Sequence, residues 1–180
     1  MKNYTFFLLF LGFISCENSN QEYITIAEDK LRNKIAGGWA GKMIGVSYGA
    51  PTEFVYNGRI NEDPIDWSPE TLRRSISEDD LYVQMSFMMT MDKYGIDAPV
   101  EKFGEAFANS GYMLWHANRG ARMNIWNGIM PPDSGHPDYN LHSDDIDFQI
   151  EADYIGLMNP GMPQSSNKIC DKIGHIMNYG

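Results

Sequence analysis

Residues 77–94, SEDDLYVQMSFMMTMDKY, begin with three consecutive acids and continue as a stretch that is apolar on nearly every side. A helix that is apolar all round is typical of the centre of a domain. The methionines of this stretch are predicted to be core residues, because flexible thioether side chains fill irregular gaps. Gly95 ends the predicted helix. The segment therefore predicts a central buried helix, residues 81–94, around which the rest of the chain packs.

The acids Glu78, Asp79 and Asp80 repel one another, so something must offset that repulsion. A divalent cation is one explanation, since hard cations take carboxylate oxygens as ligands. The partial positive charge of a helix N-terminus is the other, with Ser77 and Asp80 spaced as a capping box. The spacing leaves both explanations open, and a cap does not exclude a metal ion.

Helical periodicity continues through most of the chain on either side of this segment. Residues 27–46 carry apolar side chains four residues apart, at Leu31, Ile35, Trp39 and Met43. Glycines with the same spacing lie on another face, at Gly37, Gly41 and Gly45. Glycine destabilises a helix by about 1 kcal/mol relative to alanine. The glycine stripe therefore predicts that another backbone comes close to this helix.

Residues 119–140 are rich in glycine, proline and polar side chains, and they are predicted to be a long functional loop.

Four further segments are predicted to be helical. Their inward-facing residues are predicted to be Leu72 and Ile76 in the first segment, Val100, Phe103 and Phe107 in the second, Ile146, Ile150, Tyr154 and Leu157 in the third, and Ile169, Ile173, Ile176 and Met177 in the fourth. No segment alternates like a strand for more than a few residues. The predicted fold class is all-α, a multi-helix bundle.

The first residues are typical of an exported lipoprotein. Lys2 precedes an apolar run, residues 6–14, that is too short to span a bilayer. Residues 1–15 are predicted to be the signal peptide, Cys16 the lipid-anchored residue, and residues 16–26 a tether. The expected location is the outside of a bacterial membrane. A net charge of −10 excludes nucleic-acid backbone as a partner.

Several segments together resemble the ADP-ribosylglycohydrolases. Residues 33–38 and 45–53 are similar to the family's glycine-rich opening helix and the turn after it. Glu78-Asp79-Asp80-Leu81 stands where the family has Thr-Asp-Asp-Thr, so the two aspartates match. Residues 119–124 resemble the family's substrate loop, and residues 146–163 are similar to a branch of secreted hydrolases. The resemblance covers residues 30–180.

The resemblance implies an all-α enzyme that hydrolyses a glycosidic bond to ribose or a related sugar. It implies a magnesium pair, with manganese as a substitute, bound through Glu78, Asp79 and Asp80. One of these three acids would be the general base, and the residues leave that choice open. From the long loop, the residues implied to bind a small-molecule or glycoside substrate are Arg122, Asn124 and Asn127.

Two more acids, Asp147 and Glu151, are four residues apart and so share a helix face. The sequence favours a solvated face, with metal or substrate contact as the alternative. The four histidines show no ligand spacing, and His136 and His142 are the ones expected near a pocket.

The sequence also departs from the family pattern. Leu81 offers no ligand where the family has threonine, and residues 27–180 lack the second acidic cluster that the family carries further along the chain. The chain is therefore expected to be the N-terminal part of such an enzyme. The alternative function is a non-catalytic lipoprotein that binds a glycan or a nucleotide sugar.

Overall fold

The computed structural model describes residues 23–179, and this part of the chain contains helices and no strands. The seven α-helices are α1 (Glu28–Gly49), α2 (Asp79–Tyr94), α3 (Val100–Ala108), α4 (His116–Trp126), α5 (Asp147–Glu151), α6 (Asp153–Met158) and α7 (Pro163–Gly174). Short 3-10 helices are formed by Ala50–Thr52, Pro69–Ser77 and Asp133–Gly135. The all-α prediction is confirmed. The predicted signal peptide, Cys16 and most of the tether lie outside the described residues.

Helix α2 lies at the centre of the described domain, as predicted. Its Phe87 is fully buried. The centroid of the Phe87 ring lies 6.1 Å from that of Phe107 and 6.4 Å from that of Phe103, both residues of α3. Tyr154 of α6 also packs near Phe87, with 6.4 Å between the centroids of the two rings. Burial of each such side chain contributes about 1.5–3 kcal/mol. The aromatic cluster therefore holds α2, α3 and α6 together.

The prediction that the methionines of α2 are core residues is correct for only part of the helix. Met91 is buried and Met88 packs against the core. Met85 and Met89, however, are 45% and 69% exposed. Apolar composition therefore overstated the burial of this helix.

Helix α1 packs on the outside of the domain. The predicted apolar face is only half-buried, and Ser47 is the one buried residue of the helix. The predicted role of the glycine stripe is wrong, because a Cβ added at Gly37, Gly41 or Gly45 would meet no atom within 4 Å. The close approach occurs at Gly38 instead, where a Cβ would overlap the side chain of Leu157 in α6.

Pro69–Ser77 forms a 3-10 helix rather than the predicted α-helix. A 3-10 helix has three residues per turn, so Leu72 and Ser75 share its inner face. Ser75 is fully buried and Ile76 is 61% exposed, which makes the inward prediction for Ile76 wrong.

The prediction of a loop over residues 119–140 is wrong at its start, since α4 continues to Trp126. At Gly120 of this helix, the Asn140 side chain packs where a Cβ would lie. Asn140 Nδ2 donates to the carbonyls of Ala117 and Met177, each at 3.0 Å. The glycine thus permits a contact between α4 and the loop that follows it.

The third predicted helix is divided into α5 and α6, and α7 ends at Gly174, before the predicted inward-facing residues Ile176 and Met177. Ile146 is exposed, whereas Tyr154, Ile173, Ile176 and Met177 are fully buried as expected. Within residues 23–179, no helix is both long enough and apolar enough to cross a membrane.

Candidate metal centre and active site

The acidic motif forms the beginning of α2. Glu78 precedes the first turn in extended conformation and makes no capping hydrogen bond with its side chain. Asp79 and Asp80 occupy the first turn, and Asp79 Oδ1 accepts from the Asp80 N–H at 3.2 Å. Ser77 is the last residue of the preceding 3-10 helix, so the predicted Ser77–Asp80 capping box is wrong. The helix N-terminus nevertheless presents two adjacent acids.

The carboxyl groups of this turn are poorly compensated. Burial raises the pKa of both Asp79 and Asp80, and for Asp79 the neighbouring charge of Glu78 raises it further. Lys42 opposes the increase in the pKa of Asp80. A raised pKa means that the charged form is less stable here than in water. A bound cation would remove that penalty.

Lys42 of α1 reaches across to these acids, and the sequence provided no role for it. Its Nζ lies 2.6 Å from Asp153 Oδ2 and 3.9 Å from Asp80 Oδ1. Nζ also donates to the Ile150 carbonyl at 2.5 Å, and the Lys42 side chain is only 9% exposed. The glycine-rich surroundings of Lys42 gave no sign of this, since the acids lie far away in sequence. Only the fold shows the contact.

An open cleft of about 610 Å³ lies between α1 and the start of α2. This volume is within the range of small-molecule sites, which is about 300–1,000 Å³. Its lining includes Lys42, Gly45, Gly49, Glu53, Glu78, Asp80 and Asp153. The acids and the lysine therefore face a space that a sugar-sized ligand could enter.

The second pair of acids, Asp147 and Glu151 on α5, is buried rather than solvated. Asp147 is 3% exposed and Glu151 is completely buried. Asp147 Oδ1 accepts from the Asn118 N–H at 3.0 Å, and Glu151 Oε1 accepts from Asn118 Nδ2. The other carboxylate oxygen of each acid is buried without a hydrogen-bond partner. The solvated-face prediction for this pair is wrong.

The two acidic groups act on one another. Burial raises the pKa of Glu151 well above its ordinary value, with contributions from Asp147, Asp79 and Asp80. Gln84 joins the elements that carry them, because its Nε2 donates to the Asp80 carbonyl while its Oε1 accepts from the Tyr154 N–H at 3.2 Å. The start of α2 and the α5–α6 segment therefore form one acidic region.

A candidate metal-binding group adjoins this region. One ligand atom from each of His116, Asp145 and Asp147 lies within 4.8 Å of the other two. His116 begins α4 with a positive φ of 33°, and strained backbone of this kind is often found at functional sites. The sequence missed this group because its histidine is far from its aspartates along the chain. The paired acids Asp145 and Asp147 were the only local signal.

Arg122 lies in α4, and the prediction that it belongs to a loop is wrong. Its Nη1 donates to the Tyr112 carbonyl at 2.7 Å and its Nη2 to Ser110 Oγ at 3.2 Å. The guanidinium also lies 5.1 Å from the Tyr112 ring centroid and 5.8 Å from those of Phe107 and Trp126. These contacts are structural, and they tie α4 to α3 and to the segment between the two helices.

The other predicted substrate-binding residues also lie on or just after α4. Asn124 Nδ2 donates to the carbonyls of Ser134 and Tyr139, both at 2.9 Å, and Asn127 is exposed at the end of the helix. Within the described residues, no hydrogen bond or ion pair joins Arg122, Asn124 or Asn127 to the acids of α2. Their contact with substrate stays a prediction.

The helical fold and the partly buried carboxylates beside the cleft define the class of protein, an all-α domain with an acidic candidate site. A family model, ADP-ribosylglycohydrolase, matches residues 27–178. The chain belongs to the ADP-ribosylglycohydrolase family, and the predicted resemblance is confirmed. No curated protein sequence and no solved structure matches the chain. Membership implies a hydrolase that is generally metal-dependent and acts on a small-molecule glycoside.

Proposed function

We propose that the chain is an exported hydrolase that cleaves a glycosidic bond to ribose or a related sugar, with magnesium held at Glu78, Asp79 and Asp80. Manganese would substitute for magnesium, since both prefer oxygen ligands. The observation that carries the proposal is the pair Asp79 and Asp80, half-buried in the first turn of α2, with Asp80 and the preceding Glu78 lining an open cleft.

The residues fit the implied cation. Carboxylate oxygens are the ligands that magnesium prefers, and three acids in sequence provide them. The pKa values of Asp79 and Asp80 are raised, so a cation would relieve a penalty that the fold leaves in place. When bound, the metal supplies charge stabilisation for ribose hydroxyls and an activated water.

The chain's own side chains would then divide the remaining work. The general base would be one of the three acids Glu78, Asp79 and Asp80, and their positions leave that choice open. Asp80 has the Lys42 ammonium 3.9 Å away, which favours its ionised form as a ligand. Lys42 also holds the cleft wall through its ion pair with Asp153.

Magnesium binding tests the assignment directly. Isothermal titration of the full chain with magnesium should give heat that the double variant Asp79→Asn/Asp80→Asn abolishes. Glu62→Gln/Asp63→Asn is the matched control, since it removes two adjacent exposed acids of the loop and should leave binding unchanged. Equal heats for wild type and the Asp79/Asp80 variant would reject the site.

A binding protein without turnover is the second candidate, and two observations favour it. Leu81 is buried and offers no ligand, and the Lys42 ammonium already lies beside Asp80, where it competes with a cation. Incubation with ADP-ribose conjugates and magnesium separates the candidates. Release of product supports the hydrolase, whereas saturable binding with no product supports the binding protein.

We also propose export and lipid attachment at Cys16, on the support of the apolar run and the cysteine that follows it. Metabolic labelling with a radioactive fatty acid tests this. The wild-type chain should carry label in the membrane fraction, and Cys16→Ala should carry none. Equal labelling of both would reject the anchor.

A further inference from the structure

We propose that His116, Asp145 and Asp147 bind a divalent transition-metal ion of the zinc class, at a second site that adjoins the acids that begin α2. His116 is the first residue of α4, and Asp147 is the first residue of α5. The fold brings the starts of two helices together and places Asp145 just before the second. The inference does not depend on the proposed hydrolase function.

The donor geometry suits one ion. The three ligand atoms lie within 4.8 Å of one another. A tetrahedral zinc with ligands at about 2.0–2.1 Å requires donors roughly 3.4 Å apart. His116 is exposed and Asp145 is partly exposed, so both side chains have room to move the short remaining distance toward the buried Asp147.

Asp147 supplies independent evidence for a ligand. The residue is 97% buried, as its exposed fraction of 3% shows, and its Oδ1 is already bonded to the Asn118 N–H. Its Oδ2 is buried with no hydrogen-bond partner. An unpaired buried carboxylate oxygen is costly, and such atoms in folded proteins are normally paired or bound to metal. Coordination by an ion shared with His116 would satisfy this oxygen.

His142 completes the surroundings of the site. Its Nδ1 lies 2.8 Å from Asp145 Oδ2, and its ring centroid is 5.6 Å from that of His116. Hydrogen bonds from neighbouring groups commonly orient metal-ligating carboxylates and histidines. We therefore assign His142 the role of holding Asp145 toward the ion. Three protein ligands leave a fourth coordination position for water or a ligand.

The donor types distinguish this site from the one at α2. Imidazole nitrogen favours zinc and other late first-row metals, whereas sites made only of oxygen favour magnesium, calcium and manganese. Glu78, Asp79 and Asp80 offer oxygen alone, while His116 adds nitrogen. The two sites should therefore respond to different ions.

Cobalt is a suitable probe, because bound Co²⁺ absorbs visible light in a way that reports nitrogen ligation and geometry. Titration of the full chain with CoCl₂ should produce a visible band that saturates at one equivalent and is displaced by Zn²⁺. His116→Ala should weaken binding at least tenfold and remove the band. Asp145→Asn should also weaken it, with circular dichroism and the thermal midpoint showing that each variant is folded.

Two controls decide the interpretation. His175→Ala removes a histidine that faces the exposed carboxylate of Asp171 at 3.9 Å, and it should keep the band. Asp79→Asn/Asp80→Asn should also keep the cobalt band while losing magnesium binding, which separates this site from the proposed active site. An unchanged band in folded His116→Ala, or loss of the band in either control, would overturn the assignment.

Discussion

Two cations, Arg122 and Lys42, differ in what surrounds them. Arg122 lies in α4 between the carbonyl of Tyr112, the hydroxyl of Ser110 and three aromatic rings. Lys42 reaches from α1 to the carboxylates of Asp80 and Asp153. Both side chains are largely buried. One cation is enclosed by neutral groups of the interior, and the other faces the acids of the cleft.

The difference shows that a cation's role depends on its partners rather than on the motif around it. The family resemblance pointed to Arg122, whose five donors suit carbonyl oxygens and ring faces equally well. Nothing in the local sequence pointed to Lys42, whose partners are more than thirty residues away. The largest effects of substitution should accordingly fall on stability at Arg122 and on ion binding at Lys42.

The largest effect on stability is expected for Arg122→Ala. We expect it to lower the free energy of unfolding by about 3 kcal/mol, because it leaves buried acceptors unpaired and removes contacts with the rings. Urea unfolding followed by circular dichroism measures the change. Arg119→Ala, an exposed arginine on the same helix, should change stability by less than about 0.5 kcal/mol. Similar midpoints for the two variants would contradict a structural role for Arg122.

The buried acids of α5 make stability depend on pH, and Glu151→Gln tests this. The folded-state pKa of Glu151 is raised, so its stabilising contribution is complete below the ordinary pKa and is lost as pH rises through the folded-state pKa. In the absence of divalent metal, the free energy of unfolding of the wild-type protein should decrease between pH 4 and pH 8. That of Glu151→Gln should decrease less over the same range.

Urea unfolding at several pH values in chelator provides this measurement. Glu101→Gln, an exposed acid on α3, should follow the wild-type curve. Parallel curves for wild type and Glu151→Gln would show that Glu151 is not the source of the pH dependence.

Lys42→Met tests the role of the Lys42 charge, because the substitution keeps the length of the side chain and removes its charge. Magnesium affinity should rise about tenfold, because an ammonium 3.9 Å from Asp80 no longer repels the ion. Isothermal titration measures the affinity. Lys34→Met, which removes an exposed charge from the same helix, serves as the control. A lower affinity in Lys42→Met would mean that Lys42 assists binding.

The smallest effects are expected for glycine substitutions in α1, the helix that carries Lys42 to the acids. Gly41→Ala should stabilise the protein by about 0.5–1 kcal/mol, since the added methyl meets no atom and alanine favours the helix. Gly38→Ala should lose that gain, because Leu157 must move away from the new methyl. Thermal midpoints of the two variants compare them directly. Equal gains would show that α1 does not pack closely against α6.

Much of the fold could be predicted because its pattern is local. The apolar run in residues 81–94 predicted the central α2, and the spacing of Phe103 and Phe107 predicted the buried face of α3. The predictions that failed depended on tertiary contacts. Gly120 suggested a loop, yet Asn140 packs against it and the helix continues. Ile76 suggested an inner face, yet a 3-10 turn points it outward.

Of the candidate site, only the acids that are adjacent in the chain could be predicted from the sequence. Glu78, Asp79 and Asp80 are adjacent in the chain, so repulsion alone marks them as a place for a cation. Asp147 and Glu151 were visible as a pair, but the partner that their carboxylates share, Asn118, belongs to a different helix. His116 was unpredictable as a ligand, since its aspartate neighbours come from a later segment.

The helical class, the family and the acidic turn that begins α2 could therefore be predicted from local sequence patterns. These features depend on periodicity and adjacency, which act over a few residues. Three contacts became visible only in the folded chain: Lys42 faces the acids, Arg122 is enclosed, and His116 meets Asp145 and Asp147. The physical reason is that burial and charge interactions depend on distance in space, and helices far apart in the chain become neighbours only when the core forms.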